Sequence, residues 1–284
     1  MSLTTGTGPF GESTAGEFGS TLQPTDHVMY FELSPRRVRV VVGGETVADS
    51  RRAFMLHETG ALPWYYLPEA DVRRDLLEPS DTEGVSPSRG RAQYWTLRVG
   101  DRVIPDAAAG YPEPPSSAPP IAGYLVFDWD AVDAWYEEDE QIFTHPADPY
   151  HRVDVRQSTR HVRISLNGEV LAESSRSRLL FETGLPTRYY LPADDVRTGL
   201  LTPSDTTTEC AYKGTATYWS AQAGDHVASD LAWTYREPKI EAERVRGYVT
   251  FFNERVDVDL DGERQPRAES EWTESAVVAL PSAD

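Results

Sequence analysis

The sequence has very few cysteines and lysines and lacks a long apolar run. Its 284 residues include one cysteine, Cys210, and two lysines, Lys213 and Lys239. A single cysteine excludes an intrachain disulfide and a zinc site built from several cysteines. The six histidines are scattered without ligand spacing, so neither a metal site nor a cofactor is predicted. The chain also contains no phosphate-binding glycine loop, nucleophile elbow or dinucleotide fingerprint.

The number and positions of the charges also limit which partners are expected. The net charge is −19, and residues 125–150 alone hold eight acids and no Lys or Arg. An acidic chain repels phosphate backbones and anionic lipid surfaces, so nucleic acid and membranes are not expected as partners. No apolar run approaches about 18 residues, and no basic-then-apolar leader opens the chain. These features predict a soluble cytoplasmic protein.

A duplication with a constant offset of 124 residues organises the chain. Tyr65-Tyr66-Leu67-Pro68 recurs as Tyr189-Tyr190-Leu191-Pro192, and Tyr94-Trp95 recurs as Tyr218-Trp219. The predicted organisation is a disordered leader (1–26), a first repeat (27–136), an acidic, proline-containing linker (137–158), a second repeat (159–260) and a flexible acidic tail (261–284).

Both repeats show the alternation of β-strands. Val162, Ile164 and Leu166 alternate with their neighbours, and Asn167-Gly168 then supplies the two positive φ values of a tight hairpin. The one helix-like stretch is Asp194–Leu201, with its copy at Ala70–Leu77, and one or two turns are predicted there. The sequence therefore predicts a mainly β protein with a small sandwich or barrel-like sheet in each repeat and little helix.

Reactive residues distinguish the second repeat from the first. Cys210 lies three residues before Lys213, whereas the first repeat has Ser86 and Arg89 at those places. A nearby ammonium stabilises a thiolate, which is the reactive form of cysteine. Lys213 could instead hold an anionic substrate group or form a Schiff base, and both residues could also be structural.

Further candidates would complete a site around this pair. Glu182 and Glu58 occupy the same Glu-Thr-Gly turn, where the carboxylate could act as an acid or base or could lock the turn. The aromatic residues of the second repeat could line a pocket or form the core. The predicted catalytic residues are Cys210, Lys213 and Glu182, and the predicted ligand-binding residues are Tyr190, Tyr218, Trp219, Trp233 and Tyr235.

Each repeat resembles domain of unknown function family 427. The resemblance rests on Asn167-Gly168-Glu169, Glu182-Thr183-Gly184, Tyr189 to Val196, Cys210 to Trp219, Trp233-Thr234-Tyr235 and Gly247 to Phe251. The first repeat departs from the family pattern at Ser86, Arg89 and Ala109, which puts a site there in doubt. The resemblance implies a small antiparallel module of the β-tent type, like methionine sulfoxide reductase B and Yippee-like proteins but without their zinc cysteines. It implies no reaction.

Three functions are therefore open. The first is small-molecule binding in a pocket of the second repeat near Cys210 and Lys213, with possible thiol chemistry, so enzyme activity is undecided. The second is a non-catalytic module that uses aromatic residues between the two repeats to hold a ligand or a protein. The third is a self-associating structural protein, and the sequence sets no oligomeric state.

Overall fold

The computed structural model describes residues 3–6, 8–12, 16, 27–224 and 226–270. The chain divides into two compact units, one of residues 3–148 and one that begins at Pro149. Each unit contains one repeat, and each is described by itself. Within the described residues, no helix is long and apolar enough to cross a membrane. Most of the predicted leader (1–26) and residues 271–284 of the predicted tail lie outside the described part of the chain.

The first unit is built from antiparallel strands in two open sheets. The strands are β1 (Met29–Leu33), β2 (Val38–Val42), β3 (Glu45–Ser50), β4 (Phe54–Glu58), β5 (Ala61–Pro68), β6 (Leu77–Ser86), β7 (Gly90–Val99), β8 (Arg102–Gly110), β9 (Tyr124–Phe127), β10 (Ala134–Glu137) and β11 (Glu140–Ile142). The larger sheet has the strand order β1-β4-β5-β9-β8-β7-β6, and the smaller has the order β11-β10-β2-β3.

The second unit repeats this arrangement in three sheets. The strands are β12 (Val153–Gln157), β13 (Val162–Leu166), β14 (Glu169–Ser174), β15 (Arg178–Glu182), β16 (Arg188–Tyr190), β17 (Leu201–Cys210), β18 (Gly214–Ala223), β19 (His226–Tyr235), β20 (Val249–Phe251), β21 (Asp257–Leu260) and β22 (Glu263–Arg264). The sheets are ordered β12-β15-β16, β14-β13-β21-β22 and β17-β18-β19-β20. An isolated bridge between Leu191 and Val249 connects the first and third of these sheets at the place where β5 pairs with β9 in the first unit.

The mainly β, antiparallel fold predicted from the sequence is confirmed, and the sheets are open rather than barrel-like. The predicted tight hairpin is also confirmed, because Asn167 and Gly168 have φ values of 50° and 85°. The helix-like stretch contains two 3-10 turns, Ala193–Asp195 and Thr198–Leu200, copied in the first unit as Glu69–Asp71 and Arg74–Leu76. A longer 3-10 helix, Ile240–Val245, is a feature that the sequence did not predict.

The segment predicted as a linker contains ordered strands. Within residues 137–158, β11 pairs with β10 in the first unit, and β12 pairs with β15 in the second. Glu140, the acidic residue of β11, is exposed on an edge strand, which explains how a charged segment can still pair. Likewise, β22 of the predicted tail pairs with β21.

Each repeat buries two apolar clusters, and adjacent aromatic residues on a strand divide between them. Tyr189 belongs to one cluster and Tyr190 to the other, as Tyr65 and Tyr66 do in the first repeat. Successive side chains of a strand point to opposite faces, so both faces of the sheet are covered here. The cluster around Tyr190 is the one that contains the candidate site.

Candidate functional site

Glu182 is the centre of the candidate site in the second repeat. It is the last residue of β15, two positions after the buried Leu180, so both side chains point to the same face. Its side chain is only 4% exposed. The chain then turns at Thr183 and Gly184, where Gly184 has a φ of 74°. The Thr183 hydroxyl accepts a hydrogen bond from the Arg152 backbone N–H at 2.9 Å, which fixes this turn to the start of β12.

Lys213 and His151 both contact the Glu182 carboxylate. Lys213 ends the turn between β17 and β18, and its Nζ donates a hydrogen bond to Glu182 Oε1 in a buried ion pair. His151 Nε2 lies 3.0 Å from the same oxygen, and its ring stacks on Tyr212 with 3.8 Å between centroids. The structure therefore joins a carboxylate, an ammonium and an imidazole that are well separated in the sequence.

The ion pair changes the acidity of both partners. Burial by itself would raise the pKa of Glu182, but the charge of Lys213 and hydrogen bonds from His151 and Lys213 hold it well below its ordinary value. Burial would lower the pKa of Lys213, yet its electrostatic interactions with Cys210 and with Glu182 raise it above the ordinary value. At neutral pH the pair is therefore fully ionised. This disfavours Glu182 as a proton acceptor and Lys213 as a Schiff-base nucleophile.

Cys210 lies beside this pair on the surface side. It ends β17 and pairs with Gly214, the first residue of β18, so the intervening turn carries Lys213. The Cys210 residue is partly exposed. The other lysine contacts the same turn, because Lys239 Nζ donates a hydrogen bond to the Ala211 carbonyl oxygen at 2.8 Å. Cys210 thus interacts electrostatically with Lys213, although the direct ion pair of Lys213 is with Glu182.

Four of the five predicted ligand-binding aromatics lie in one buried cluster next to Glu182. These are Tyr190, Tyr218, Trp233 and Tyr235. Burial raises the pKa of the three tyrosines, and each of them also interacts electrostatically with two of Cys210, Lys213 and Glu182. Trp219 is not part of this group, because it packs against the other apolar cluster of the repeat. The site-residue assignment itself stays a prediction.

Sequence reasoning missed His151. Its signal was the 124-residue offset, since His27 and His151 are a matched pair in the two repeats. The structure gives them the same partner: His27 Nε2 lies 3.0 Å from Glu58 Oε1. Both repeats therefore build a histidine–glutamate–cation group in which the three residues are spaced 31 apart. Among the described residues, no cluster of three or more His, Cys, Asp or Glu could bind a metal ion.

The first repeat has a looser version of the group. Arg89 Nη2 lies 3.4 Å from Glu58 Oε2, and the guanidinium sits over the Tyr111 ring at 5.4 Å. The Ser88 hydroxyl donates to Glu58 Oε1 at 2.5 Å, and Ser86 and Ser88 are joined by a hydrogen bond. The thiol of the second repeat has no counterpart here, because Ser86 stands at that position.

The fold and these two groups define a class of tandem β-repeat protein with one histidine–glutamate–cation group in each repeat. Within this class the chain belongs to a family known as a domain of unknown function (DUF427), whose model matches twice, at residues 30–138 and 154–262. The expectation of two tandem family copies is therefore confirmed. A comparison with curated proteins gives no significant match.

Proposed function

We propose that the second repeat binds a small molecule beside Cys210 and Lys213, with the Cys210 thiol as the group available for covalent chemistry. The observation that carries this proposal is the meeting of a partly exposed thiol with the ionised Lys213–Glu182 pair at the edge of an aromatic cluster. Titratable groups gathered with perturbed pKa values favour a functional site over a purely structural one.

The energetic cost of the group supports the same proposal. Removing two charges from water costs several kcal/mol for each ion, so a buried pair often adds little to stability compared with apolar residues of similar volume. The second repeat nevertheless buries Glu182, Lys213 and His151 together next to three tyrosines. A binding role for these groups explains why they occur at one place.

The proposed roles follow from the geometry. Lys213 supplies fixed positive charge next to the thiol, and Glu182 holds Lys213 in place rather than transferring protons. His151 supports Glu182 through its Nε2 contact, and the Tyr212 ring stacks on the imidazole. Tyr218 and Tyr235 provide apolar surface against which a ligand ring can pack.

Alkylation kinetics test the proposal. The full chain is treated with iodoacetamide and with N-phenyl chloroacetamide, and Cys210 modification is followed by intact-protein mass spectrometry over a range of reagent concentrations. A reagent that first binds beside the thiol gives a rate that saturates with concentration. We expect saturation for the aromatic reagent, and a lower maximal alkylation rate in a Lys213→Met variant, because the thiol loses the nearby ammonium.

The second lysine provides a matched control. Lys239→Met removes the same charge from the same turn region but leaves the contacts of Glu182 in place, so the maximal alkylation rate should not change. A rate that rises linearly with reagent concentration and follows the reactivity of a free model thiol would contradict binding at Cys210. Equal effects of the two lysine variants would contradict the role given to Lys213.

The alternative, a ligand or protein held between the repeats by aromatic residues, stays a prediction. Tyr190, Tyr218, Trp233 and Tyr235 are buried in the core of their own repeat, which disfavours an exposed docking surface made of these residues. The Cys210→Ser variant separates the two proposals, because a non-catalytic module keeps full binding. A cytoplasmic location also remains a proposal, to be tested by cell fractionation.

A further inference from the structure

The first repeat differs from the second in the aromatic cluster that lies next to its histidine–glutamate–cation group. Ala109 stands where the second repeat has Trp233. Trp233 is buried and packs on Phe252 with 4.5 Å between ring centroids. Ala109 is only half-buried, as is Trp64 of the same apolar cluster. The first repeat therefore leaves part of this aromatic face open to solvent.

The loss of the indole changes the environment of the matched tyrosines. In the second repeat, burial raises the pKa of Tyr190, and the Trp233 indole is one of the neighbouring groups that act against this rise. In the first repeat, Arg89 faces the Tyr66 hydroxyl instead and interacts with it electrostatically. That contact lacks normal hydrogen-bond geometry, so Tyr66 Oη and Arg89 Nε have no hydrogen-bond partner among the described residues. Tyr66 is fully buried, and an unsatisfied group of this kind is costly.

Arg89 is also the less constrained of the two matched cations. Its side chain is 28% exposed, compared with 10% for Lys213. Its 3.4 Å contact with Glu58 is long for a charge-assisted hydrogen bond, which is about 2.7–2.9 Å. The guanidinium can therefore turn toward a ligand without breaking a strong ion pair.

We propose that the first repeat contains a second, non-covalent binding site for a small aromatic carboxylate. The carboxylate oxygens bind the Arg89 guanidinium, and the ring packs against the half-buried face around Ala109 and Trp64. With Ser86 in place of a cysteine, the site binds its ligand reversibly.

The charge of the site favours a carboxylate over a phosphate. A guanidinium presents a planar pair of donors that fits either anion. Glu58 is already 3.4 Å from Arg89, however, and would repel a doubly charged phosphate more strongly than a singly charged carboxylate. The open aromatic face then selects a ligand with a ring rather than a short aliphatic acid.

Benzoate and its neutral analogue benzamide are the probes for this site. Binding to the full chain is measured by ligand-observed NMR titration at fixed ionic strength. We expect benzoate to bind at least about tenfold more tightly than benzamide, because hydrogen bonds to a charged group are stronger than those between neutral groups. Arg89→Met should remove this preference. Ala109→Trp should weaken benzoate binding by filling the open face while leaving all charges in place.

Two variants test whether benzoate binds at Arg89 rather than elsewhere on the protein. Arg91→Met removes an exposed arginine two residues away, so benzoate affinity should not change. Lys213→Met alters the second repeat and should also leave it unchanged. The inference is overturned if wild-type protein does not prefer benzoate, if Arg89→Met keeps the preference, or if Lys213→Met abolishes it. Circular dichroism and thermal unfolding establish that each variant is folded.

Discussion

Replacing Lys213 with Met should destabilise the second repeat by about 3–5 kcal/mol, because it leaves the Glu182 carboxylate charged and buried. The Glu182 side chain is 4% exposed and the Lys213 side chain 10%, so water cannot readily replace the missing partner. In this variant His151 still contacts Glu182 at 3.0 Å. We therefore expect a loss of unfolding free energy toward the lower end of that range. Removing both charges is the informative comparison.

The double variant Glu182→Met/Lys213→Met should be less destabilised than Lys213→Met alone. It removes both buried charges and leaves only His151 without its carboxylate partner, at a cost of about 1–3 kcal/mol. Urea unfolding with hydrogen-exchange mass spectrometry of peptides from residues 153–262 measures the second repeat separately from the first. Glu169→Gln, from the exposed pair with Arg197, is the control and should cost less than about 1 kcal/mol. A double variant at least as unstable as Lys213→Met alone would refute the argument.

Three further predictions concern acid stability, a second ion pair and one glycine. The pKa of Glu182 is lowered in the folded state to about 2, so its contribution is present above its ordinary value of 4.5 and is lost as pH falls toward 2. The stability difference between wild type and Glu182→Gln, measured by urea unfolding, should therefore shrink over that interval. Arg188 and Glu254 form a buried bidentate pair at 2.6 and 2.8 Å, and Arg188→Met should cost about 3–5 kcal/mol by the same assay. Gly214→Ala should lower thermal stability by more than about 1 kcal/mol because its φ is +89°, whereas Gly199→Ala, with open space around it, should be near neutral.

Periodic patterns made the framework of the fold predictable. Alternating apolar residues located β2 and β13, and Asn167-Gly168 located the hairpin that follows β13. The long strand β17 gave no such signal, because Thr, Ser, Asp and Pro dominate it and it lies at the edge of its sheet. Alternation of apolar and polar residues requires one buried face, whereas β17 has no fully buried residue and its half-buried face is mostly polar.

The charged group was harder to predict than the strands, because its contacts depend on the register of the sheet. Spacing in the sequence favoured a direct contact between Cys210 and Lys213, whereas Lys213 pairs with Glu182, 31 residues earlier in the chain. His151 had no local motif at all and could have been found only by comparing the two repeats. A duplicated chain therefore contains positional information that a single motif lacks.

Comparing the two charged groups tests whether they serve only to stabilise the fold or also have a function. If the group serves only to hold the fold, the cation should be equally important in both repeats. The first repeat has a 3.4 Å contact and a 28% exposed Arg89 side chain, so solvent can compensate for its loss. We therefore expect Arg89→Met to cost less than about 1.5 kcal/mol in the first repeat, well below the effect of Lys213→Met in the second. Hydrogen exchange in peptides from residues 29–142 measures this. Equal costs would mean that both groups are structural and that the divergence to Arg89, Ser86 and Ala109 preserved stability rather than creating a different site.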